Sequence, residues 1–232
     1  MKILAIIPAR GGSKGIKNKN IIDVCGNPLI YYTIDPALKL KESGLIDELI
    51  VSTDSDLIKK ISEEYNVYIP FLRPESISGD KAKSIDFIIH AIEFFKDKGI
   101  NYEAILLLQP TSPLRDFKLL KQSIELFVES NSNSLISCYK EEYINDLVMY
   151  KSQTNSKVLT PLNKNHNKGV RRQDHGDVFV RNGAIYLTKV NYLTVTRQII
   201  CDAPLLVEMR KSDSINLDTL EDLEILKRVL CK

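Results

Sequence analysis

Short apolar runs alternate with longer segments of helical periodicity along most of the chain. Five of the runs end in turn residues and predict strands, at residues 3–8, 49–52, 104–108, 134–138 and 184–188. Apolar residues at helical spacing predict helices at residues 55–65, 84–98 and about 219–230. Strands that are linked by helices favour an α/β fold, in which a mostly parallel sheet is covered by helices on both faces.

Residues 141–180 do not follow this alternation. The segment is polar and rich in asparagine and lysine. A loop of this length without a core of its own is usually functional, disordered or completed by another molecule. We therefore expect one domain, residues 1–232, with an inserted arm at about residues 141–180 that packs against a second subunit.

The composition excludes several classes of protein. The chain has 232 residues, of which 44% are hydrophobic and 27% are charged, as in an ordinary folded domain. Its net charge of +2 comes from interspersed residues of both signs, which argues against a long nucleic-acid partner. The N-terminal apolar run stops at Pro8 and is too short for a signal peptide or a membrane span, so we expect a cytoplasmic protein.

Residues that serve common hydrolytic and metal chemistries are scattered. The cysteines are Cys25, Cys138, Cys201 and Cys231. They form no C-x-x-C pair and have no histidine at metal spacing, so reduced structural thiols are favoured over zinc or a disulfide framework. Neither G-x-S-x-G nor H-E-x-x-H occurs in the sequence. Hydrolytic triads and zinc catalysis are therefore set aside.

The segment after the first predicted strand has the composition of a phosphate-binding loop. It reads PARGGSKGIKNKN over residues 8–20. Its glycines allow the backbone to approach a ligand closely, and Arg10, Lys14 and Lys19 supply positive charge that suits a triphosphate. The segment matches neither G-x-x-x-x-G-K-[ST] nor G-x-G-x-x-G, which argues against a nicotinamide dehydrogenase. A solvated glycine-rich turn is the alternative.

A second polar segment, QPTSPLR at residues 109–115, follows the predicted strand at 104–108. In doubly wound sheets, ligands bind beyond the carboxyl ends of the strands. We therefore expect Gln109 and Arg115 to point into the crevice that holds the first loop. A rigid proline connector without a ligand is the alternative. Asp54 also follows a predicted strand, and either faces the nucleotide or caps a turn.

Asn216 and Asp218 fall on one face of the extended segment at residues 214–218. Magnesium takes oxygen ligands and is often held by one or two carboxylates together with substrate phosphates, so this pair could form a Mg²⁺ site. The alternative is that Asp218 is the N-cap of the last helix and that Glu221 completes a capping box.

Arginines gather where the polar arm ends. Arg171, Arg172 and Gln173 precede Arg181 and Asn182 along the chain. A guanidinium binds a carboxylate through two parallel hydrogen bonds, so this region is predicted to recognise an acidic sugar. A solvated basic turn is the alternative.

Several of these motifs occur together in a characteristic order. The motifs are residues 7–15 with Lys19 and Asn20, residues 73–75 and 79–80 ahead of Ser84, residues 109–115, and residues 182–186. Taken together, they resemble the acylneuraminate cytidylyltransferase family, the CMP-sialic acid synthetases, nearly from end to end. Several spaced motifs in the right order are more specific than any one of them.

The resemblance implies a nucleotide-diphospho-sugar-transferase-like fold, CTP and Mg²⁺ as co-substrate and cofactor, a nonulosonic acid as acceptor, and a homodimer in which the arm reaches the partner. With the motifs above, it assigns CTP binding to Arg10, Gly11, Gly12, Ser13, Lys14, Lys19, Asn20, Arg73 and Ser84. The sugar side is assigned to Gln109, Arg115, Arg171, Arg172, Gln173 and Asn182. The residues expected to be catalytic are Arg10, Lys14, Lys19 and Asp218, and those expected to bind the metal are Asp218 and Asn216.

One motif departs from the sialic acid members, whose metal segment resembles I-D-I-D. This chain has Ile215-Asn216-Leu217-Asp218, so it relies more heavily on Asp218. Legionaminic-type synthetases are similar in this stretch and at residues 172–174, which favours N,N'-diacetyllegionaminate over N-acetylneuraminate. The alternatives are pseudaminate or 3-deoxy-manno-octulosonate as acceptor, or a non-catalytic CTP-binding regulatory protein. The sequence identifies no general base.

Overall fold

Ten strands are found in a computed structural model that describes residues 1–13, 15–152, 157–168 and 176–231. The strands of the main sheet are β1 (Ile3–Pro8), β4 (Glu48–Ser52), β5 (Ala104–Leu107), β6 (Ser134–Glu141), β9 (Val178–Lys189) and β10 (Leu205–Glu208). Two small hairpins pair β2 (Asp23–Val24) with β3 (Asn27–Pro28) and β7 (Tyr150–Ser152) with β8 (Leu159–Pro161). The main sheet has the order β10-β6-β9-β5-β1-β4.

Helices cover both faces of this sheet. They are α1 (Tyr31–Glu42), α2 (Asp56–Glu64), α3 (Ser84–Asp97), α4 (Phe117–Glu129), α5 (Val190–Thr196) and α6 (Leu220–Leu230). One core cluster joins alternate residues of β1 to α1 and α4, and a second joins the other residues of β1 to α3. Since β1 is buried on both faces, it has the continuous apolar sequence of a central strand. The predicted α/β fold is confirmed.

The sheet is mostly parallel. Strand β1 pairs in parallel with β4 and β5, and β6 pairs in parallel with β10. Strand β9 runs antiparallel between β5 and β6. The first half of β9 therefore lies beside the carboxyl ends of β5 and β6, where the loops that follow these strands leave the sheet. No helix in the described part of the chain has the length and apolar character that a membrane span needs.

The predicted arm is partly an extension of the sheet. Strands β6 and β9 continue as a two-stranded ribbon, in which Lys140 pairs with Phe179 and Glu141 with Val178. Beyond the ribbon, the β7–β8 hairpin and the segment before it carry exposed apolar side chains, including those of Val148, Met149 and Leu159. The described part of the arm therefore exposes large apolar side chains among its polar residues.

A disulfide bond joins Cys25 to Cys231, so the prediction of reduced thiols is wrong for these two residues. The cause is the packing of α6 against the β2–β3 hairpin, where Val24, Leu223 and Leu226 share a buried cluster. This packing brings the two Cα atoms within 5.3 Å although the residues are 206 positions apart. Cys138 and Cys201 are free thiols.

Candidate active site

A cleft of about 480 Å³ lies at the carboxyl ends of the central strands, beside the loops that follow β1 and β5. Eight of the residues predicted to bind or to catalyse line it: Arg10, Ser13, Lys19, Asn20, Arg73, Ser84, Gln109 and Asp218. They come from segments far apart in sequence, and parallel pairing brings these segments together because the strands end at the same edge of the sheet. Their roles in ligand binding stay predictions.

The loop after β1 is held in place by hydrogen bonds from its surroundings. The Asp54 carboxylate accepts a hydrogen bond of 2.8 Å from the Gly11 backbone N–H. The buried Asn20 amide donates to the Arg10 carbonyl at 3.0 Å. Asp54 thus anchors this loop, and the N-cap of α2 is Ser55. Both contacts hold the loop in the arrangement in which Arg10 and Lys19 line the cleft.

Two cations of the cleft are paired with carboxylates. The Arg10 guanidinium contacts Asp80 at 2.8 Å. The Lys19 ammonium donates to the Asp218 carboxylate at 2.8 Å and to the Leu217 carbonyl at 2.8 Å. A triphosphate that enters the cleft therefore competes with these two carboxylates for the same donors.

Arg73 is a third cation of the cleft, and it is buried. Its guanidinium donates to the Ser52 hydroxyl at 3.1 Å and to the Ser52 carbonyl at 2.6 Å, and it lies 4.4 Å from the centroid of the Phe87 ring. Burial lowers the pKa of Arg73 to about 10, although the nearby Asp54 acts in the opposite direction. The side chain therefore remains charged near neutral pH and is fixed by its contacts with β4 and α3.

Gln109 lies against the first half of β9. Gly183 has a φ of +78°, and a Cβ atom added to it would lie 3.1 Å from the Gln109 Oε1 atom. Glycine is needed here both for the left-handed backbone and for the close approach of the glutamine amide. The same loop holds the C-terminal segment, because the Leu217 N–H donates to the Thr111 carbonyl at 2.7 Å.

Asn216 and Asp218 lie side by side, as their spacing predicts, and the Asn216 amide donates to the second oxygen of the Asp218 carboxylate. The helix-cap alternative for Asp218 is wrong. The N-cap of α6 is Thr219, whose capping-box partner is Asp222, because the chain enters the helix one residue later than that alternative assumes. The Asp218 carboxylate is therefore available to the cleft, with 62% of its side chain exposed.

Two predicted sugar-binding residues lie outside the cleft. Arg115 was expected to share the crevice with Gln109, but it is buried and donates to the Ser112 carbonyl and to the Thr33 hydroxyl of α1. The chain turns back at Pro113, so Arg115 fixes the loop after β5 to α1, and burial lowers its pKa to about 9. These contacts give Arg115 a structural role.

Asn182 is also buried, because it joins three parts of the fold. Its amide oxygen accepts from the Ser137 hydroxyl of β6 at 2.6 Å, and its nitrogen donates to the Ser214 hydroxyl at 2.9 Å. Its backbone carbonyl accepts from the Ser112 hydroxyl at 3.0 Å. Asn182 therefore links strands β6 and β9 to the segment that precedes Asp218.

Four predicted site residues lie outside the described residues: Lys14, Arg171, Arg172 and Gln173. Gly12 lines a smaller cavity that adjoins the cleft, together with Arg10, Ser13 and Asp54. Among the residues that the structure describes, no group of three or more His, Cys, Asp or Glu side chains is arranged to hold a metal ion.

Asp80, Phe87 and Thr111 are among the residues that line the cleft without a role in the sequence prediction. Asp80 and Thr111 stand within the family motifs and could have been assigned from them. Phe87 could not, because it stands in a run of helical apolar residues that reads as core. Its ring lines the cleft beside the Arg73 guanidinium.

An α/β domain with a cationic cleft beside a glycine-rich loop at its strand ends defines a class of phosphate- or nucleotide-binding proteins. Within that class, residues 4–227 match the family model described as cytidylyltransferase. The chain therefore belongs to the cytidylyltransferase family.

Known relatives agree with this family. The chain is 33% identical to a pseudaminic acid cytidylyltransferase of Campylobacter jejuni subsp. jejuni, over 98% of this chain and 95% of the relative. It is 32% identical to an N-acylneuraminate cytidylyltransferase of Escherichia coli O18:K1:H7, over 97% of this chain and 51% of the relative. It is 38% identical to a CMP-N,N'-diacetyllegionaminic acid synthase of Legionella pneumophila, over 54% of this chain and 53% of the relative. The predicted family resemblance is confirmed.

A solved structure supports the fold. A CMP:2-keto-3-deoxy-manno-octonic acid synthetase complexed with CTP aligns over 100% of this chain and 99% of its own, with a TM-score of 0.70 and 15% sequence identity. At this identity the likeness concerns the fold alone. The nucleotide-diphospho-sugar-transferase-like architecture is confirmed.

Proposed function

We propose that this protein transfers the cytidylyl group of CTP to the anomeric hydroxyl of a nonulosonic acid and releases pyrophosphate. The observation that carries the proposal is the convergence of Arg10, Lys19 and Arg73 in one cleft, in a chain of the cytidylyltransferase family. Three cations in a confined site suit the charge of a triphosphate, and fixed cations stabilise charge that develops during its reaction.

The proposed reaction is an in-line displacement. The anomeric oxygen forms a bond to the α-phosphorus of CTP while the bond from that phosphorus to the pyrophosphate oxygen breaks, and the proton of the anomeric hydroxyl is released to solvent. Such reactions depend mainly on positioning and on charge stabilisation. In the proposal, Arg10 and Lys19 donate hydrogen bonds to phosphate oxygens and stabilise the leaving pyrophosphate, and Lys14 is assigned the same role from its place in the family motif. Arg73, which is held against the Phe87 ring, adds positive charge in the buried part of the cleft.

The donor atoms around Asp218 fit a Mg²⁺ ion that is bound together with the nucleotide. Asp218 offers an exposed carboxylate at the cleft, and Asn216 offers an amide next to it. A single carboxylate with one neutral neighbour would supply a minority of the six oxygen ligands that Mg²⁺ takes, and phosphates and water would supply the others. When bound there, the ion neutralises charge on the phosphate oxygens.

Two nonulosonic acids are supported as the acceptor. N,N'-diacetyllegionaminate is favoured by the 38% identity to the Legionella enzyme, although that match spans 54% of this chain. Pseudaminate is favoured by the 33% identity to the Campylobacter enzyme, which spans 98% of this chain. We propose N,N'-diacetyllegionaminate as the first candidate, because residues 172–174 and 215–218 also resemble legionaminic-type synthetases. The guanidinium groups of Arg171 and Arg172 would bind the acceptor carboxylate.

The arm is proposed to form the interface of a homodimer. The β7–β8 hairpin and the segment before it expose several large apolar side chains, such as those of Ile144, Val148 and Leu159, which are 53%, 57% and 57% exposed. Apolar groups that cluster on one projecting element are typical of protein interfaces. In a dimer of this kind, the arm of one subunit would bring its arginines to the sugar side of a cleft.

The experiment that tests the function is a pyrophosphate-release assay with CTP and Mg²⁺. The acceptors are N,N'-diacetyllegionaminate, a diacetylated pseudaminate, N-acetylneuraminate and 3-deoxy-manno-octulosonate. The expected result is release with a nonulosonic acid, fastest with the legionaminate, and loss of about 10² in kcat in Lys19→Gln, as for other fixed electrostatic groups. Tight CTP binding without release in any reaction would refute the transferase and favour a regulatory CTP-binding protein.

A further inference from the structure

The carboxylate that is proposed to bind the metal already holds a cation of the protein. The Lys19 ammonium lies 2.8 Å from one Asp218 oxygen, and the Asn216 amide contacts the other. The Lys19 side chain is 13% exposed, whereas that of Asp218 is 62% exposed. The lysine is therefore packed with its charge fixed on a carboxylate that solvent still reaches.

The backbone around this pair is held in place. The Leu217 N–H donates to the Thr111 carbonyl at 2.7 Å, and a Cβ atom added to Gly15 would lie 2.8 Å from the Asp218 carbonyl. The hydrogen bond of Leu217 therefore holds the backbone at Asp218 in place, and the absence of a side chain at Gly15 allows it to lie close to the loop that carries Lys19. The flexible part is the four-carbon side chain of Lys19, which can turn its ammonium without moving the backbone.

An ammonium and a divalent cation compete for the same carboxylate. Two cations within a few ångströms repel each other strongly where water is partly excluded, so a metal ion binds poorly to Asp218 while Lys19 stays there. Lys19 also faces the cleft that is proposed to hold the triphosphate. Phosphate oxygens carry more negative charge than one carboxylate, so a bound nucleotide offers the ammonium a stronger partner.

We infer that Lys19 is the counter-ion of Asp218 in the ligand-free protein and that it exchanges Asp218 for the triphosphate when the nucleotide binds. The exchange frees the carboxylate for the divalent ion that accompanies the nucleotide. Metal and nucleotide then bind with positive coupling, because each strengthens the binding of the other through the same lysine. This inference rests on the proposed function, since it takes CTP and a metal ion as ligands of the cleft.

The test measures metal binding without turnover. Mn²⁺ is titrated into nucleotide-free protein, and free Mn²⁺ is followed by its electron paramagnetic resonance signal. The expected result is weak binding by the wild type and binding that is tighter by at least about fivefold in Lys19→Gln, at the lower end of typical coupling between sites. Lys19→Arg keeps the charge and is expected to bind Mn²⁺ as weakly as the wild type. Asp218→Asn combined with Lys19→Gln is expected to lose the tight binding, and Asp218→Asn alone is expected to weaken the already weak binding of the wild type.

The matched control is Lys17→Gln, which removes an exposed lysine from the same loop. It is expected to change the affinity for Mn²⁺ by less than about twofold, because solvent and salt screen exposed charges. Circular dichroism and thermal melting establish that each variant is folded. Equal Mn²⁺ affinity in Lys19→Gln and the wild type would overturn the exchange.

The exchange and the assignment of the metal site are contradicted by different results. If Asp218→Asn weakens Mn²⁺ binding but Lys19→Gln has no effect, the exchange is wrong and the metal site stands. If Asp218→Asn has no effect in either background, Mn²⁺ does not bind at Asp218, and both the exchange and the metal assignment are wrong. Neither result depends on cytidylyl transfer, which the pyrophosphate assay measures separately.

Discussion

Removal of the Cys25–Cys231 bond should destabilise the fold strongly. The bond closes a loop across 206 positions, and a cross-link stabilises mainly by restricting the unfolded chain. The loop-length relation gives about 5 kcal/mol at 25 °C for a loop of this size, and residual structure in the unfolded state reduces this value. We expect Cys231→Ser to lose about 3–5 kcal/mol of unfolding free energy and about 6–20 °C in Tm.

The measurement is urea unfolding followed by circular dichroism, with and without dithiothreitol. Reductant should lower the unfolding free energy of the wild type to nearly that of Cys231→Ser, and it should leave the unfolding free energy of the variant unchanged. Cys201→Ser is the matched control, because Cys201 is a free thiol outside the bond, and it should keep the response to reductant. The reasoning is refuted if wild-type protein titrates as four free thiols under non-reducing conditions, or if reductant does not change its stability.

Three further predictions concern separate parts of the fold. Gly15→Ala places a Cβ atom 2.8 Å from the Asp218 carbonyl, so kcat/KM for CTP should fall by about tenfold or more. Lys211 holds the pKa of Glu141 at about 2 through a hydrogen bond, so the pair stabilises the protein above the ordinary carboxyl pKa of 4.5. Wild-type stability should therefore fall more steeply than that of Lys211→Met as the pH is lowered from 4.5 towards 2, as measured by urea unfolding. Leu159→Asp, on the arm, should shift the protein from dimer to monomer in light scattering.

Each of these predictions has a control within the chain. A Cβ atom added to Gly12 meets no atom within 4 Å, so Gly12→Ala should leave the melting temperature as in the wild type, whereas the 2.8 Å contact is expected to lower it in Gly15→Ala. Lys59 forms an exposed ion pair with Glu63, and Lys59→Met should show the same dependence of stability on pH as the wild type. Val195 is 83% exposed on α5, away from the arm, so a Val195→Asp protein that also becomes monomeric would contradict the assignment of the interface.

The sequence predicts the centre of the fold better than its edges. Strand β1 and helix α3 have strong apolar patterns because they are packed by the core along most of their length. Helix α1 was not predicted, since it has a proline at position 36 and its N-cap residue makes no side-chain hydrogen bond. Helix α4 is also absent from the prediction, although the sequence contains a signal for it, since the side chain of Asp116 caps its N-terminus. Strand β10 is short and lies at the sheet edge, where the pattern is weakest.

The position of a site residue is easier to predict than the direction of its side chain. Gln109 and Arg115 stand in one motif, yet the first lines the cleft and the second turns to α1. The direction depends on which partner each side chain meets after folding, and sequence spacing does not record it. The same limit applies to the pairs Arg10–Asp80 and Lys19–Asp218, and to a disulfide between distant cysteines.

The contact between Lys19 and Asp218 joins residues that are 199 positions apart. A ribosome makes the chain from its N-terminus, so the glycine-rich loop is synthesised long before the segment that completes the cleft. Until that segment docks, Asp218 cannot meet the loop and the cleft is incomplete. A nascent or truncated chain that ends before Asp218 would therefore lack part of the candidate site, even if its central sheet had already folded.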